Sequence, residues 1–226
     1  MTIQLAVFDL AGTTVNDPDG VCNCLRAALS AVGVESSREQ VNLVMGIPKP
    51  DAIRRLIQQA NREDLLDQIM SIHSDFSERM IQFYETSDEV YEIPGTSEVF
   101  RSLHEMGVKV AVNTGFDRRI TQALLDRLGW ESDGLIDASI TSDEVENGRP
   151  AADMIQSLMK QLGIDDSKNV AKIGDTPADL LEGVNAKCGL IIGVTEGSHT
   201  EAQLKEHEHH HLIANVTGAP SLISSS

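Results

Sequence analysis

Four groups of polar residues in this 226-residue sequence carry the side chains that phosphoryl chemistry needs. Each group follows a short apolar run, and they occupy residues 9–14, 113–115, 147–150 and 174–179. They supply isolated and paired carboxylates, a hydroxyl beside a glycine amide, and a guanidinium. Ligands of an open parallel sheet bind at the carboxyl ends of its strands. We therefore predict that the four groups meet along one edge of such a sheet.

The chemistry of these groups fits a phosphorus centre. Two carboxylates from different strand ends can hold a hard cation such as Mg²⁺. Thr114, the amide of Gly115 and the guanidinium of Arg149 can bind phosphoryl oxygens. A carboxylate that faces phosphorus can attack it and form an acyl phosphate. Each signal taken singly also fits a helix cap or a turn, so the prediction depends on the four occurring together in order.

Short apolar runs separated by helical patterns must position these groups. Runs that predict buried strands cover residues 3–8, 108–113, 135–140, 169–173 and 189–194, with a weaker one at 211–216. Between most of them, apolar residues recur at helical spacing, and three of these helices are predicted to end at Gly107, Gly129 and Gly163. Strands alternating with helices predict an α/β fold, a Rossmann-like parallel sheet covered on both faces.

The stretch from residue 17 to residue 94 has a different pattern. It contains no convincing strand, and sets such as Ile53, Leu56 and Ile57 repeat at helical spacing. We predict an inserted all-helical domain at 17–94 and a core formed by residues 1–16 and 95–226.

Composition narrows the range of partners and compartments. Thirty-five acidic residues against 18 basic ones give a net charge of −17, which argues against nucleic acid and anionic membranes as partners. Three cysteines without metal-ligand spacing fit reduced thiols. No signal peptide or membrane-spanning run is recognised, so we expect a cytoplasmic protein that acts on a small molecule.

The ordered motifs resemble the haloacid dehalogenase superfamily over essentially the whole chain. Asp9 matches the nucleophile of the first motif, Thr114 the second motif, and Asp175 with Asp179 the fourth. The resemblance implies a hydrolase that passes through an aspartyl-phosphate intermediate on Asp9. It also implies that the helical insertion at 17–94 is a cap over the active site.

Position 11 departs from the usual motif of that superfamily. Most of its phosphatases read Asp-x-Asp-Gly-Thr, and the second aspartate protonates the leaving oxygen and later activates water. This sequence has Ala11 there, and loss of such a proton transfer costs about 10²–10⁴ in rate. Alanine at this position is typical of the phosphonoacetaldehyde hydrolase branch, which cleaves a carbon–phosphorus bond.

Further residues are similar to that branch. The run from Met45 to Lys49 looks like its Met-Gly-x-x-Lys motif, whose lysine forms a Schiff base with the aldehyde. The resemblance implies that Asp9 and Lys49 are catalytic and that the cofactor is Mg²⁺. Its implied metal ligands are Asp9, the backbone oxygen of Ala11, Asp175, and Asp179 through a bound water. Its implied substrate-binding residues are Gly12, Thr13, Met45, Thr114, Gly115 and Arg149.

Two departures leave other functions open. The branch has histidine and tyrosine where this sequence has Ala52 and Phe116. The main hypothesis is a phosphonatase-like hydrolase of a small organophosphorus compound, which includes phosphonoacetaldehyde. The alternative is a phosphate-monoester phosphatase of the phosphoglycolate or sugar phosphate type, and a third hypothesis is a phospho-ligand binder without activity. The resemblance also implies a homodimer formed through the cap.

Overall fold

The computed structural model describes residues 2–17 and 19–225. Met1 and Ser226 of the predicted core, and Pro18 of the predicted helical insertion, lie outside the described residues. The strands are β1 Leu5–Phe8, β2 Val15–Asn16, β3 Tyr91–Glu92, β4 Lys109–Thr114, β5 Ala138–Thr141, β6 Val170–Gly174, β7 Leu190–Val194 and β8 His211–Ile213. The α-helices are α1 Gly20–Ser30, α2 Arg38–Asn42, α3 Lys49–Gln59, α4 Ile69–Thr86, α5 Thr96–Glu105, α6 Arg118–Leu128, α7 Asp153–Leu162, α8 Pro177–Asn185, α9 Glu201–Leu204 and α10 Ala219–Ser224.

Six strands form one parallel sheet in the order β5-β4-β1-β6-β7-β8. All six correspond to the apolar runs of the sequence, so the predicted α/β parallel-sheet fold is confirmed. The run at 135–140 begins its strand three residues later, at Ala138, and the weak run at 211–216 forms only His211–Ile213.

The sheet is covered on both faces, as the alternating pattern predicts. Along β1, Ala6 and Phe8 contribute to one apolar cluster, whereas Leu5 and Val7 contribute to another. Phe8 packs edge-on against Phe100 of α5 with ring centroids 5.2 Å apart. This fully buried strand lies in the middle of the sheet, and its carboxyl end is therefore held in a fixed position.

Helices α1 to α4, which we call the helical insert, lie between β2 and β3. Apolar residues of α4 such as Ile72, Phe76 and Met80 are buried, and α1 and α3 both pack on that helix. Since burial of such an apolar stripe supplies most of a helix's stability in a protein, α4 is the centre of the insert.

The stretch 17–94 is not entirely helical, contrary to the sequence-based expectation. β3 lies inside it and pairs antiparallel with β2, so that Val15 faces Glu92 and Asn16 faces Tyr91. Strands of two residues are too short to show an alternating pattern, which is why the sequence did not reveal them. The domain boundaries at 16/17 and 94/95 remain predictions, and they fall at this small ladder.

The helical insert also packs against the core. Helix α4 lies on α6, and Arg119 of α6 forms an ion pair with Glu78 at 2.6 Å. Arg127 donates hydrogen bonds to the carbonyl oxygens of Tyr84, Glu85 and Ser87 at 2.9, 3.0 and 2.6 Å. These last bonds satisfy carbonyl groups that the end of a helix leaves without partners. Within the described residues, no helix combines the length and apolarity needed to cross a membrane.

Candidate active site

Three buried carboxylates meet at the carboxyl edge of the sheet. Asp9 follows β1, Asp175 follows β6, and Asp179 lies in the first turn of α8. One oxygen of each lies within 4.8 Å of the others. The sequence predicted this meeting from the ends of parallel strands, and the distances make the cluster small enough to share one cation.

The turn after β1 brings the chain close to Asp175. Gly12 has a φ of +89°, and a Cβ there would lie 2.6 Å from Asp175 Oδ2. Thr13 is fully buried behind the turn and donates a hydrogen bond to Asp175 Oδ1 at 2.9 Å. Thr14 donates to the carbonyl of Asp9 at 2.8 Å, which holds the turn against the strand end. The Gly-Thr-Thr sequence therefore positions Asp9 and Asp175 together.

Ser198 also holds Asp175, although the sequence analysis did not identify it. Its backbone N–H and its hydroxyl donate to Asp175 Oδ2 at 2.7 and 2.6 Å. It lies in the polar segment that follows β7, another parallel strand. The same reasoning about strand ends, applied to β7, would have found it.

Asp179 is fixed by the start of α8. Thr176 is the N-cap of the helix, and its backbone N–H and hydroxyl donate to Asp179 Oδ2 at 3.2 and 2.5 Å. Asp179 Oδ1 makes no hydrogen bond in the described part of the chain, although Arg149 Nη1 and Lys172 Nζ each lie 2.9 Å from it. These two cations hold the pKa of Asp179 below its ordinary value, so that it stays a carboxylate beside Asp9 and Asp175.

Arg149 lies beneath the carboxylates, and its N–H groups donate hydrogen bonds to other residues of the protein. It contacts Asp9 Oδ1 at 2.6 Å and Glu182 Oε2 at 3.0 Å, and it donates to both oxygens of Asn113 at 2.7 and 2.6 Å. The binding of phosphoryl oxygens by Arg149 stays a prediction, and its contacts orient Asp9 together with Glu182 and Asn113.

Lys172, Glu182 and Asn113 complete a buried ionic network to which the sequence analysis gave no role. Lys172 Nζ lies 2.7 Å from Asn113 Oδ1, 2.9 Å from Asp179 Oδ1 and 3.3 Å from Glu182. Both charged side chains are fully buried. The sequence signal for this network was Lys172 within an apolar strand, because a buried charge at such a position requires a partner.

The electrostatics favour a cation among the three carboxylates. Burial, together with the negative charges of Asp179 and Asp175, raises the pKa of Asp9 to about 7, although Arg149 opposes the rise. Burial also raises the pKa of Asp175, helped by the charge of Asp179. Burial opposes the charge of Asp179 too, but Arg149 and Lys172 hold its pKa below the ordinary value. Oxygen donors that repel each other in this way fit a divalent cation such as Mg²⁺.

A cavity of about 380 Å³ opens beside the carboxylates and is closed on its far side by the helical insert. It is lined by eight of the predicted site residues, which are Asp9, Ala11, Gly12, Met45, Lys49, Thr114, Gly115 and Arg149. Thr114 ends β4, and its hydroxyl accepts a hydrogen bond from the Phe116 N–H at 3.2 Å. Residues from the core and from the helical insert therefore face one space.

Lys49 is buried at this cavity, with only 3% of its surface exposed. It begins α3, and its ammonium lies 3.4 Å from the carbonyl oxygen of Ile47 and 5.1 Å from the centroid of the Phe116 ring. Burial lowers its pKa to about 8, although the charge of Asp9 works in the opposite direction. A lysine with this pKa is a far better nucleophile at neutral pH than an exposed one.

The loop before Lys49 sits directly on the core. A Cβ on Gly115 would lie 2.7 Å from the carbonyl oxygen of Ile47, and a Cβ on Gly148 would overlap the ring of Pro48. A Cβ on Gly46 would overlap Thr176 in the same way. Glycines on both sides of this contact therefore let the backbone of the insert approach the strand-end loops.

A family model, curated proteins and solved structures are similar to this chain. The model, described as haloacid dehalogenase-like hydrolase, matches residues 6–192. Phosphonoacetaldehyde hydrolase of Bacillus cereus strain B4264 is 30% identical over 223 residues, covering 91% of this chain and 82% of that protein. A solved phosphonoacetaldehyde hydrolase-like protein from Oleispira antarctica has a TM-score of 0.85 at 19% identity, covering 100% of this chain and 92% of its own. A putative phosphoglycolate phosphatase from Lactobacillus delbrueckii subsp. bulgaricus has a TM-score of 0.80 at 20% identity, covering 99% of both chains.

Proposed function

The chain belongs to the haloacid dehalogenase-like hydrolase family, and from that premise we propose that it is a Mg²⁺-dependent phosphonatase that forms a Schiff base with its substrate. The substrate class is a small phosphonate with an aldehyde or ketone carbon next to the carbon that bears phosphorus. The observation that carries the proposal is the buried amine of Lys49, with a pKa of about 8, in the same cavity as Asp9. The relatives named phosphonoacetaldehyde hydrolase support the same substrate class.

The reaction begins at Lys49. Its neutral amine adds to the carbonyl carbon of the substrate, and loss of water leaves an iminium that can accept an electron pair. The Asp9 carboxylate then attacks phosphorus, the carbon–phosphorus bond breaks, and its electron pair moves into the iminium to give an enamine. The enamine takes a proton at carbon to give the imine of the product, and water then hydrolyses the acyl phosphate on Asp9 and this imine on Lys49.

Ala11 fits this sequence of steps. The leaving group is a carbon whose electron pair is delocalised into the iminium, so its departure does not require an acid at position 11. An ester hydrolase, in contrast, would use such an acid to protonate the departing oxygen.

Asp9, Asp175 and Asp179, with the backbone oxygen of Ala11, would hold the Mg²⁺. When bound, it would offset the charge of these carboxylates and of the phosphonate, which allows one anion to approach another. Arg149 orients Asp9 through the contact at 2.6 Å. Thr114 and Gly115 line the same cavity, where the hydroxyl and the N–H can bind phosphonate oxygens.

The decisive experiment is reductive trapping. Borohydride added with phosphonoacetaldehyde should attach the two-carbon fragment to Lys49, as identified by peptide mass spectrometry, and phosphate should be released when borohydride is omitted. Lys49→Ala should lose both the adduct and the turnover. Lys160→Ala, which removes an exposed lysine of α7, is the control and should lose neither. Full turnover by Lys49→Ala would exclude the Schiff base.

Phosphate-monoester hydrolysis is the second candidate, and Ala52 favours it. This residue is fully buried on α3, three residues after Lys49, and its methyl group cannot move a proton. Phosphoglycolate or sugar phosphates would then be turned over without any adduct on Lys49. A screen of phosphonates and phosphate esters with Mg²⁺ distinguishes the two candidates.

We further propose that the helical insert is a cap which moves to admit substrate, and that two copies associate through it in the cytoplasm. The contact of the Lys49 loop with the core supports the first point, because substrate must enter beneath that loop. Light scattering on the purified chain, compared before and after substitution of exposed residues of the insert, tests the dimer. The acidic composition supports a small-molecule substrate rather than nucleic acid or membrane.

A further inference from the structure

Asp17 is a cavity-lining carboxylate that the steps above do not use. It lies between β2 and α1 and lines the cavity together with Asp9 and Lys49. Its Oδ1 accepts a hydrogen bond from the Val21 N–H at 3.1 Å, and its Oδ2 accepts one from the Tyr84 hydroxyl at 3.0 Å. The carboxylate therefore has a fixed orientation.

A chain of ring contacts connects Asp17 to Lys49. Tyr84 is fully buried in α4, and its ring packs edge-on against Phe116 with centroids 6.0 Å apart. The other neighbour of the Phe116 ring is the Lys49 ammonium, at 5.1 Å from the centroid. Asp17, Phe116 and Lys49 line the same cavity, Tyr84 contacts both Asp17 and Phe116, and the charges of Asp17 and Lys49 act on each other.

Asp17 differs from Asp9 and Asp19, which form ion pairs, and from Glu196, which is exposed. Asp9 is paired with Arg149, Asp19 with Arg38, and Glu196 accepts a hydrogen bond from Asn215. Asp17 makes no ion pair within the described ranges, and its hydrogen bonds come from neutral donors. Burial raises its pKa, while the bonds from Val21 and Tyr84 and the charge of Lys49 lower it less. Its acid form is therefore more accessible than that of an exposed aspartate.

The proposed reaction needs an acid at this place. When the amine of Lys49 adds to the carbonyl, the product is a neutral carbinolamine with a hydroxyl on the former carbonyl carbon. That hydroxyl leaves as water only if it receives a proton while the nitrogen lone pair forms the carbon–nitrogen double bond. Ala11 and Ala52 carry no such proton, and Asp9 is committed to phosphorus.

We propose that Asp17 is the catalytic acid that dehydrates the carbinolamine on Lys49, an inference that rests on the Schiff-base function proposed above. The Asp17 carboxylic acid donates its proton to the hydroxyl, the carbon–oxygen bond breaks, and water and the iminium are formed. The resulting carboxylate takes a proton back when water adds to the product imine, so no other reactant is consumed. Tyr84 is a positioning residue that holds Asp17 through its hydroxyl.

The test measures iminium formation apart from phosphorus chemistry. The whole chain is mixed with phosphonoacetaldehyde and Mg²⁺ and quenched with borohydride at increasing times within the first turnover, and the adduct on Lys49 is quantified separately from released phosphate. Asp17→Asn keeps an oxygen that can accept one of the two hydrogen bonds but has no acidic proton. It should form the adduct about 10²–10⁴-fold more slowly. Asp88→Asn, which removes the same charge from an exposed position that does not line the cavity, is the matched control and should stay close to the parent rate.

A second variant distinguishes a catalytic role of Asp17 from a purely structural one. Asp17→Glu retains the acidic group and should form the adduct much faster than Asp17→Asn, whereas equal losses in both variants would overturn the proposal. Unchanged trapping in Asp17→Asn would also overturn it. Failure of the proposed function itself has a different signature, because the unsubstituted chain would then form no adduct at all.

Discussion

The Lys49 ammonium lies 5.1 Å from the centroid of the Phe116 ring, so the first residue of α3 meets the loop that follows β4 of the core sheet. This contact removes the amine from bulk water and places it at the cavity that Asp9 also lines. The chemistry proposed for the chain depends on this arrangement, and four predictions follow from it and from its surroundings.

The first prediction concerns the reactivity of the Lys49 amine. Its pKa is lowered from 10.5 to about 8, so the neutral, nucleophilic form is populated about three-hundredfold more at pH 7 than for an ordinary lysine. Acetylation by a small anhydride should rise with pH and level off above about pH 8 at Lys49, as measured by quantitative mass spectrometry. At exposed Lys160 it should continue to rise. A Lys49 profile that follows Lys160 would contradict the burial of the amine.

The second prediction concerns the metal. Three buried carboxylates repel each other, so a bound divalent cation should stabilise the fold by RT ln(1 + [L]/Kd), about 2.7 kcal/mol at a hundredfold excess over Kd. Mg²⁺ should raise the melting temperature of the unsubstituted chain, and Asp175→Asn should abolish most of that rise. Asp166→Asn, a substitution outside the cluster, is the control. An identical Mg²⁺ response in all three proteins would be evidence against this site.

The third prediction concerns the contact between the Lys49 loop and the core. A Cβ on Gly148 would overlap the ring of Pro48, so Gly148→Ala should push the loop and its lysine away from the cavity. Displacement by about 1 Å can cost about 10²-fold in rate, and we expect adduct formation on Lys49 to fall by at least tenfold. Gly218→Ala has an ordinary backbone conformation and a less crowded Cβ position, so it should leave trapping unchanged. Unimpaired trapping in Gly148→Ala would show that Lys49 does not require this contact between its loop and the core.

The fourth prediction concerns Ala11. Carbon–phosphorus cleavage needs no acid there, so Ala11→Asp should not accelerate phosphonate turnover and should lower it, because it adds a negative charge beside Asp9. The alternative function predicts the reverse for alkyl phosphate esters, with a gain toward about 10²–10⁴-fold. Phosphate release from both substrate classes, measured for the parent and for Ala11→Asp, decides between them. Ala11→Ser, which has no acidic group, controls for the change in size.

Local patterns were enough to predict the sheet and the carboxylates at its edge. Asp9 and Asp175 follow apolar runs that are strands in the structure, and the end of a parallel strand fixes where the next residue lies. The burial of Lys49 was not predictable in this way. The lysine stands between two prolines in a polar-looking turn, and its environment depends on Phe116, which is distant in sequence and comes near only when the helical insert packs on the core.

The same distinction applies to the residues that were missed. Ser198 follows a strand and could have been found from the pattern that revealed Asp175. The orientation of Arg149 could not, because its contacts with Asp9, Glu182 and Asn113 join three separate elements. Asp17 could not be identified for the same reason, since its hydrogen-bond partner Tyr84 lies in α4, far from it in sequence.

The ionic network beneath the cavity has a consequence for the order in which ligands bind. Together with the neighbouring Asp175, the network has four carboxylates and two cations. When all are ionised, the carboxylates of Asp9, Asp175, Asp179 and Glu182 exceed the charges of Arg149 and Lys172 by two. One divalent cation brings the net charge of this buried cluster to zero. A phosphonate dianion that binds after it returns the net charge to −2. The positive iminium on Lys49 then reduces this net negative charge from two to one. Each step therefore makes the next one electrostatically easier, in the order metal, phosphonate, imine.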